Sequence, residues 1–240
     1  MSTLSFSTAS ISDAGGRDYN EDCCDHRDGC WVLADGLGGH GGGEVASRVA
    51  VETVLGLLAG KAPAAPVLVQ AVQEANRALH LKQRGNPALE RMRTTLVILT
   101  TDGTAALWGH VGDSRLYHFR GGRLTAQTED HSVPQAMVKA GEIRAADIRH
   151  HEDRNRLLRT LGNDDEPRPT VVPGPVQLAV GDAFLLCTDG FWEYVTETEM
   201  EITLAKATDP ETWLRIMTRR LLERAEPGHD NYTAMAVMVG

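Results

Sequence analysis

At 240 residues the chain has room for one large domain or two small ones, and with 42% hydrophobic and 24% charged residues it can bury a sizeable core. A net charge of −9 with scattered Lys and Arg excludes a broad basic face for nucleic acid. No run approaches the ~18 apolar residues of a membrane span, and MSTLSFSTAS lacks the basic and apolar regions of a signal peptide, so no membrane and a reduced cytoplasm are expected.

Leu4 to Ser12 alternates apolar and small polar residues, as a half-buried strand does. Asp25 to Gly29 reads as a polar turn and Cys30 to Ala34 as a second strand. Val45, Val49, Val54, Leu57 and Leu58 recur at helical spacing, and Lys61 to Pro66 ends that helix. Leu68, Ala71, Val72, Ala75 and Leu79 then begin another. Thr94 to Thr101 and Thr104 to Val111 are strands joined at Asp102-Gly103, a hairpin signal. Further turns at Gly112-Asp113 and Gly121-Gly122 extend this, through Arg115 to Arg120 and RLTAQT, into an expected antiparallel meander.

Ser132 to Ala140 has helical character, and Arg144 to Arg168 is an arginine-rich stretch of weak periodicity. Pro167, Pro169, Pro173 and Pro175 mark irregular backbone or a sheet edge. Phe184 to Cys187 is a short buried strand. Asp209-Pro210-Glu211 caps a helix with Trp213, Met217 and Leu221 on one face, and Tyr232 to Val239 closes the chain as a strand. The four cysteines (Cys23, Cys24, Cys30, Cys187) form no C-x-x-C pair and read as small buried hydrophobes. Without repeat or linker, a single α+β domain over residues 1–240 is expected.

Within ADGLGGHGGG, Gly36, Gly38 and Gly41 spell G-x-G-x-x-G, the dinucleotide fingerprint. Two objections count against a nicotinamide enzyme. No second parallel strand follows the helix, and Asp35 stands where a pyrophosphate would have to pass. A different regularity accounts for Asp35. Apolar runs end at aspartates beside Gly, Ser or Asn at Asp35, Asp113 and Asp189, and HDN repeats the theme at Asp230, with Glu21-Asp22 as a fifth acidic site. Each alone is ordinary turn chemistry. Together, on strand ends sharing one rim, they would repel without a hard divalent cation such as Mg²⁺ or Mn²⁺. His150-His151 lacks a third ligand for zinc.

These motifs stand in a recognisable order: R-x-x-N-E-D (Arg17 to Asp22), ADGLGGHGGGEVAS (Ala34 to Ser47), RTTLVIL (Arg93 to Leu99), GDSRLY (Gly112 to Tyr117) and DHS (Asp130 to Ser132). RTLG (Arg159 to Gly162), GDAFLLCTDGFWEYV (Gly181 to Val195) and GHDNYT (Gly228 to Thr233) complete it. From about Gly15 onward the chain resembles the metal-dependent serine/threonine protein phosphatases, the PPM or type 2C family, in their compact bacterial form. The resemblance implies a sandwich of two antiparallel sheets with a helix pair on each outer side, and a flap-like insertion at about 132–170. It implies two Mn²⁺ or Mg²⁺ ions and a third, weaker one. Asp35 would bridge the two ions. Glu21 and the Gly36 carbonyl would complete one, Asp189 and Asp230 would hold the other, and Asp113 with Asp189 the third. Asp22 and Asn231 would orient bound waters, and Arg17 would grip the phosphate in a fork.

One departure concerns the histidine that follows Asp-Gly in many eukaryotic members and is proposed to protonate the leaving group. Leu37 occupies that position. His40 reads as a turn or helix-start residue, so the general acid is unassigned, with water on a third metal as a substitute. The expected activity is hydrolysis of phosphoserine and phosphothreonine in phosphorylated proteins by a monomer opposing a bacterial Ser/Thr kinase, with type VI secretion as a narrower thought. The alternative is a non-catalytic phosphopeptide-binding relative.

Overall fold

The central strands of this chain are buried on both faces because each sheet is covered twice, once by the other sheet and once by helices. The computed structural model describes residues 4–38 and 42–240. Gly39, His40 and Gly41 lie outside it, and with them His40 and the last glycine of the G-x-G-x-x-G match.

In chain order the elements are β1 (Phe6–Asp13), β2 (Asp22–Arg27), β3 (Cys30–Leu37), α1 (Gly42–Leu58), α2 (Ala65–Gly85), β4 (Arg93–Thr94), β5 (Leu96–Thr101) and β6 (Ala105–Val111). There follow β7 (Arg115–Arg120), β8 (Arg123–Gln127), α3 (Val133–Ala140), β9 (Thr170–Val171), β10 (Val176–Gln177) and β11 (Ala183–Cys187). The last four are α4 (Asp189–Trp192), α5 (Glu197–Leu204), α6 (Pro210–Arg224) and β12 (Tyr232–Val239). One sheet runs β1-β12-β11-β7-β8. The other runs β10-β6-β5-β3-β2, with β4 on β3 and β9 on β6.

The period of two along each strand divides the core. On β3, Trp31 and Leu33 point between the sheets, where they meet Phe184, Leu186, Met235 and Val237. Cys30, Val32 and Ala34 point outward onto α1 and α2. On β11, Ala183, Leu185 and Cys187 likewise face Trp213, Met217 and Leu221 of α6. The molecule is therefore a four-layer α/β/β/α sandwich, the architecture the resemblance implied. All four cysteines are free; Cys30 and Cys187 are buried, Cys23 and Cys24 partly so.

The structure corrects several expectations. The meander is broken at Gly112-Asp113: β5 and β6 pair with each other, but β7 pairs with β8 and β11 in the opposite sheet. The turn is a corner between sheets, with Gly112 at φ 101. A Gly-Asp pair signals a reversal of the chain but not whether the flanking strands hydrogen-bond. The polar stretch Asp25 to Gly29 is mostly strand, because β2 is an edge strand, where polar residues are tolerated. The turn itself is only Asp28-Gly29, at φ 46 and 74. The run Thr94 to Thr101 is interrupted at Thr95. Two helices went unread, α4 and α5. The second carries a capping box in which Thr196 and Glu199 serve each other's backbone, a T-x-x-E signal present in the sequence.

Segment 132–170, between β8 and β9, contains α3 and a 3₁₀ turn at Ala145–His150. It is tied down by Val133 N–H to the Arg156 carbonyl (2.9 Å) and Leu158 N–H to the His131 carbonyl (2.7 Å). Arg149 reaches Glu197 (2.6 Å) and Arg154 reaches Glu193 (2.8 Å).

Candidate active site

Strand ends from both sheets meet at one rim, around a pocket of about 370 Å³ whose lining includes Arg17, Glu21, Asp35, Asp113, Asp189 and Asp230. Asp35 comes from the end of β3, Asp189 from the residue pair after β11, Asp230 from just before β12, and Asp113 from the corner between the sheets. The sandwich thus brings together acids 209 positions apart in sequence (21 to 230).

Asp35 is held from its backbone. Its N–H donates to Thr95 Oγ1 (2.9 Å), and its carbonyl accepts from Thr94 Oγ1 (2.8 Å) and Thr95 N–H (2.9 Å). Thr95 Oγ1 also pairs with Ser114 Oγ at 2.6 Å, which links the Asp35 strand to the corner bearing Asp113. That corner is fixed further by Trp192 Nε1 donating to the Asp113 carbonyl (3.0 Å), and by Gly112 N–H donating to His131 Nδ1 (3.1 Å). The motifs RTTL, GDSR, DHS and DGFW contain these supports, but nothing in their spacing reveals them.

Glu21 sits at the start of α1. Gly43 N–H donates to its Oε1 (3.2 Å), as an N-terminal turn favours an anion, and Ser47 Oγ donates to its carbonyl (2.6 Å). A side chain at Gly36 would collide with the carbonyl oxygens of Gly43 and Glu21, so the glycine permits this close approach. Arg17 donates one nitrogen, Nη2, to Asp230 Oδ2 (3.0 Å), with side chains 54% and 43% exposed. Its remaining N–H groups are available to a ligand.

Two residues depart from expectation. Asp22 is not among the pocket-lining residues; Oδ2 accepts from Thr188 Oγ1 (3.0 Å), and Oδ1 is buried with no partner among the described residues. Asn231 does line the pocket, but its amide serves the chain rather than water. Oδ1 accepts from Glu21 N–H (2.8 Å), and Nδ2 donates to the carbonyls of Ala14 and Tyr19 (2.9 Å each).

The acids are electrostatically frustrated. Asp22 and Asp35 face each other across the β2–β3 ladder, an arrangement that is destabilising for like charges. Burial pushes the Asp35 carboxyl well above its ordinary range, and Asp22, Asp189, Asp113 and Asp230 add to the shift. Burial and then Asp189 do the same to Asp113. Asp189 is raised by burial and by Asp230. Burial also raises Glu21, and raises Asp22 to about 7. Asp35 and Asp189 keep an opening to solvent through the pocket itself.

An orphaned carboxylate oxygen on Asp22, and acids that raise one another, suit a site that cations would neutralise. Among the described residues no three His, Cys, Asp or Glu side chains form a ready-made cage for one ion. The acids instead ring a pocket with room for water. That suits Mg²⁺ or Mn²⁺, hard cations served by carboxylates, carbonyls and retained waters, and not zinc. The donor set fits.

Comparison with known proteins agrees. Residues 15–226 match the family profile described as Protein phosphatase 2C. The chain is 34% identical over 215 residues to the serine/threonine phosphatase stp of Listeria monocytogenes, covering 86% of this chain and 82% of that one. It superposes on the catalytic domain of the serine/threonine protein phosphatase PstP, solved in complex with 2 manganese ions, with TM-score 0.84, 31% identity and 99% of each chain covered. It superposes on PppA of Pseudomonas aeruginosa, described as a key regulatory component of T6SS, with TM-score 0.81 at 31% identity and 99% coverage of each.

Proposed function

The chain belongs to the protein phosphatase 2C family, and we propose that its acidic pocket hydrolyses phosphoserine and phosphothreonine in proteins. It is a metal-dependent serine/threonine phosphatase. The observation that carries this reading is the ring of mutually repelling carboxylates on strand ends from both sheets, beside a partly free arginine.

Asp35, Glu21 and the Gly36 carbonyl would hold one ion, and Asp35, Asp189 and Asp230 the second, with Asp113 and Asp189 facing a third. When bound, such ions lower the pKa of water and offset charge on the attacking and leaving oxygens. Arg17 binds: the N–H groups not given to Asp230 grip phosphate oxygens and orient the phosphorus. Thr95 and Ser114 keep Asp35 and Asp113 in a fixed relation, and Asn231 holds Glu21 and the loop carrying Arg17. Among the described residues no Ser, Thr, Cys or His lines the pocket. Leu37 lines the pocket where many eukaryotic members carry a histidine, so the general acid stays unassigned among the described residues.

The substrates are phosphoproteins of a Ser/Thr kinase that this single catalytic domain opposes as a monomer. The likeness to PppA favours a place beside the kinase of a type VI secretion system. No helix among the described residues is long and apolar enough to cross a membrane. Four free cysteines support work in a reducing cytoplasm.

The test is hydrolysis of a phosphothreonine peptide and of p-nitrophenyl phosphate, in EDTA and then with Mn²⁺ or Mg²⁺. Activity absent in EDTA and restored by metal is expected. Folded protein inactive with every metal would overturn the assignment in favour of a phosphopeptide-binding module.

A further inference from the structure

Beside its acids, Asp18 at the rim included, the pocket carries apolar side chains. Tyr19 lines it with 73% of its surface exposed, the ring making no hydrogen bond to any described residue. Leu37 at the end of β3 and Leu157 from the 132–170 segment line the same pocket. Large exposed hydrophobics elsewhere, such as Leu81, Val180 and Ile202, lie away from it.

All three side chains hang from fixed backbone. The Tyr19 carbonyl accepts from Asn231 Nδ2 at 2.9 Å. Leu37 pairs with Arg93 of β4, and Leu157 forms a bridge with Ser132. A solvated aromatic held at the entrance, two positions from the arginine that faces the phosphate, is poorly explained as a folding element. It contributes no core contact, and an apolar group bound against it would take the ring out of water. Preorganised apolar groups of this kind add affinity because little ordering remains to be done.

We infer that Tyr19, with Leu37 and Leu157, forms an apolar subsite that receives a large aliphatic side chain next to the phosphoresidue of the substrate protein. The inference rests on the phosphatase reading above. Phosphate seated between Arg17 and the acid-lined floor places the neighbouring residues of an extended peptide at the mouth, where these three side chains stand. The hydroxyl of Tyr19 has no assigned part, so the ring alone carries the contact.

The experiment compares kcat/KM, with Mn²⁺, for phosphothreonine peptides flanked on both sides by Leu, by Gly or by Arg, with free phosphothreonine alongside. Wild-type protein should favour the Leu-flanked over the Gly-flanked peptide about tenfold, the worth of roughly 50–60 Å² of apolar surface. Tyr19→Ala and Leu157→Ala should each bring that ratio towards one through KM, whereas Tyr19→Phe keeps it. A wild-type ratio near one, a preference for Arg, or a ratio that survives Tyr19→Ala would overturn the subsite while leaving the phosphatase intact. Absence of turnover for every substrate, free phosphothreonine included, would overturn both.

Discussion

Two groups of charge lie inside the outline of this protein, and they are treated in opposite ways. Arg115 and Asp130, with side chains 4% and 2% exposed, satisfy one another completely: Nε and Nη2 donate to the two carboxylate oxygens at 2.8 and 2.7 Å. The guanidinium also lies 3.5 Å over the Trp192 ring, and Nη1 donates to Tyr117 Oη (3.2 Å). At the pocket, where Asp35 and Asp189 open to solvent, Asp22, Asp35, Asp113 and Asp189 repel one another, and the arginine lining it, Arg17, pairs with Asp230. The same fold can neutralise a buried charge with its own side chains, so leaving four carboxylates without a cation is a specific arrangement. The first group is finished by folding; the second waits for ions from solution.

That contrast can be broken at several points. The largest effect is expected from Asp35→Asn or Asp189→Asn. Each should lower kcat ~10³-fold or more, since several kcal/mol of charge stabilisation would be lost. Metal-free Asp35→Asn should nevertheless melt above metal-free wild type, because a repelling charge has gone. Steady-state rates with Mn²⁺ and melting in EDTA check both halves. Next comes the satisfied pair. Arg115→Met should cost about 3–5 kcal/mol by leaving Asp130 alone, and adding Asp130→Leu should recover most of it. Denaturant titration measures this, and no pair of substitutions in the pocket should restore activity in the same way.

Thr95→Val should act more mildly, by about 1–3 kcal/mol, because it leaves the Asp35 N–H without its acceptor and breaks the Ser114 contact. Thr95→Ser should behave as wild type in the same titration. The smallest effect is in pH. Asp22, raised from 3.8 to about 7, is neutral in both folded and unfolded chains at low pH and costs nothing there. As pH rises, the unfolded chain ionises first, so the metal-free fold loses stability until pH passes about 7. Cations bound in the pocket offset the part of this penalty that comes from Asp189 and Asp230. The Mn²⁺-induced rise in melting temperature should therefore be greater at pH 8 than at pH 6, by about 2–4 °C for each kcal/mol involved. His110, His118 and His131 are held below their ordinary range by burial in either form and cancel in the difference.

Much of the fold was legible where a strand or helix obeys one period. Trp213, Met217 and Leu221 marked the buried face of α6, and Asp209 capped it as read, accepting from Thr212 N–H at 2.7 Å. The sheet crossing at Gly112-Asp113 was not legible, because strand pairing depends on contacts distant in sequence. For the same reason the aspartates could be picked out by their place after apolar runs, but their meeting at one rim came from the sandwich. Hydrogen-bonded supports were the least visible. Nothing local in RTTL or GDSR says that Thr95 and Ser114 touch, and nothing local in HDN says that the Asn231 amide holds Glu21 and the Arg17 loop.

The central claim is that the repelling acids are a cation site. Calorimetric titration of the metal-stripped chain with Mn²⁺ at neutral pH tests it most directly. The account predicts at least two binding events in the wild type, at least one of them abolished by the Asp35→Asn and Asp189→Asn double substitution. No binding to folded protein, or binding unchanged by that double substitution, would contradict it.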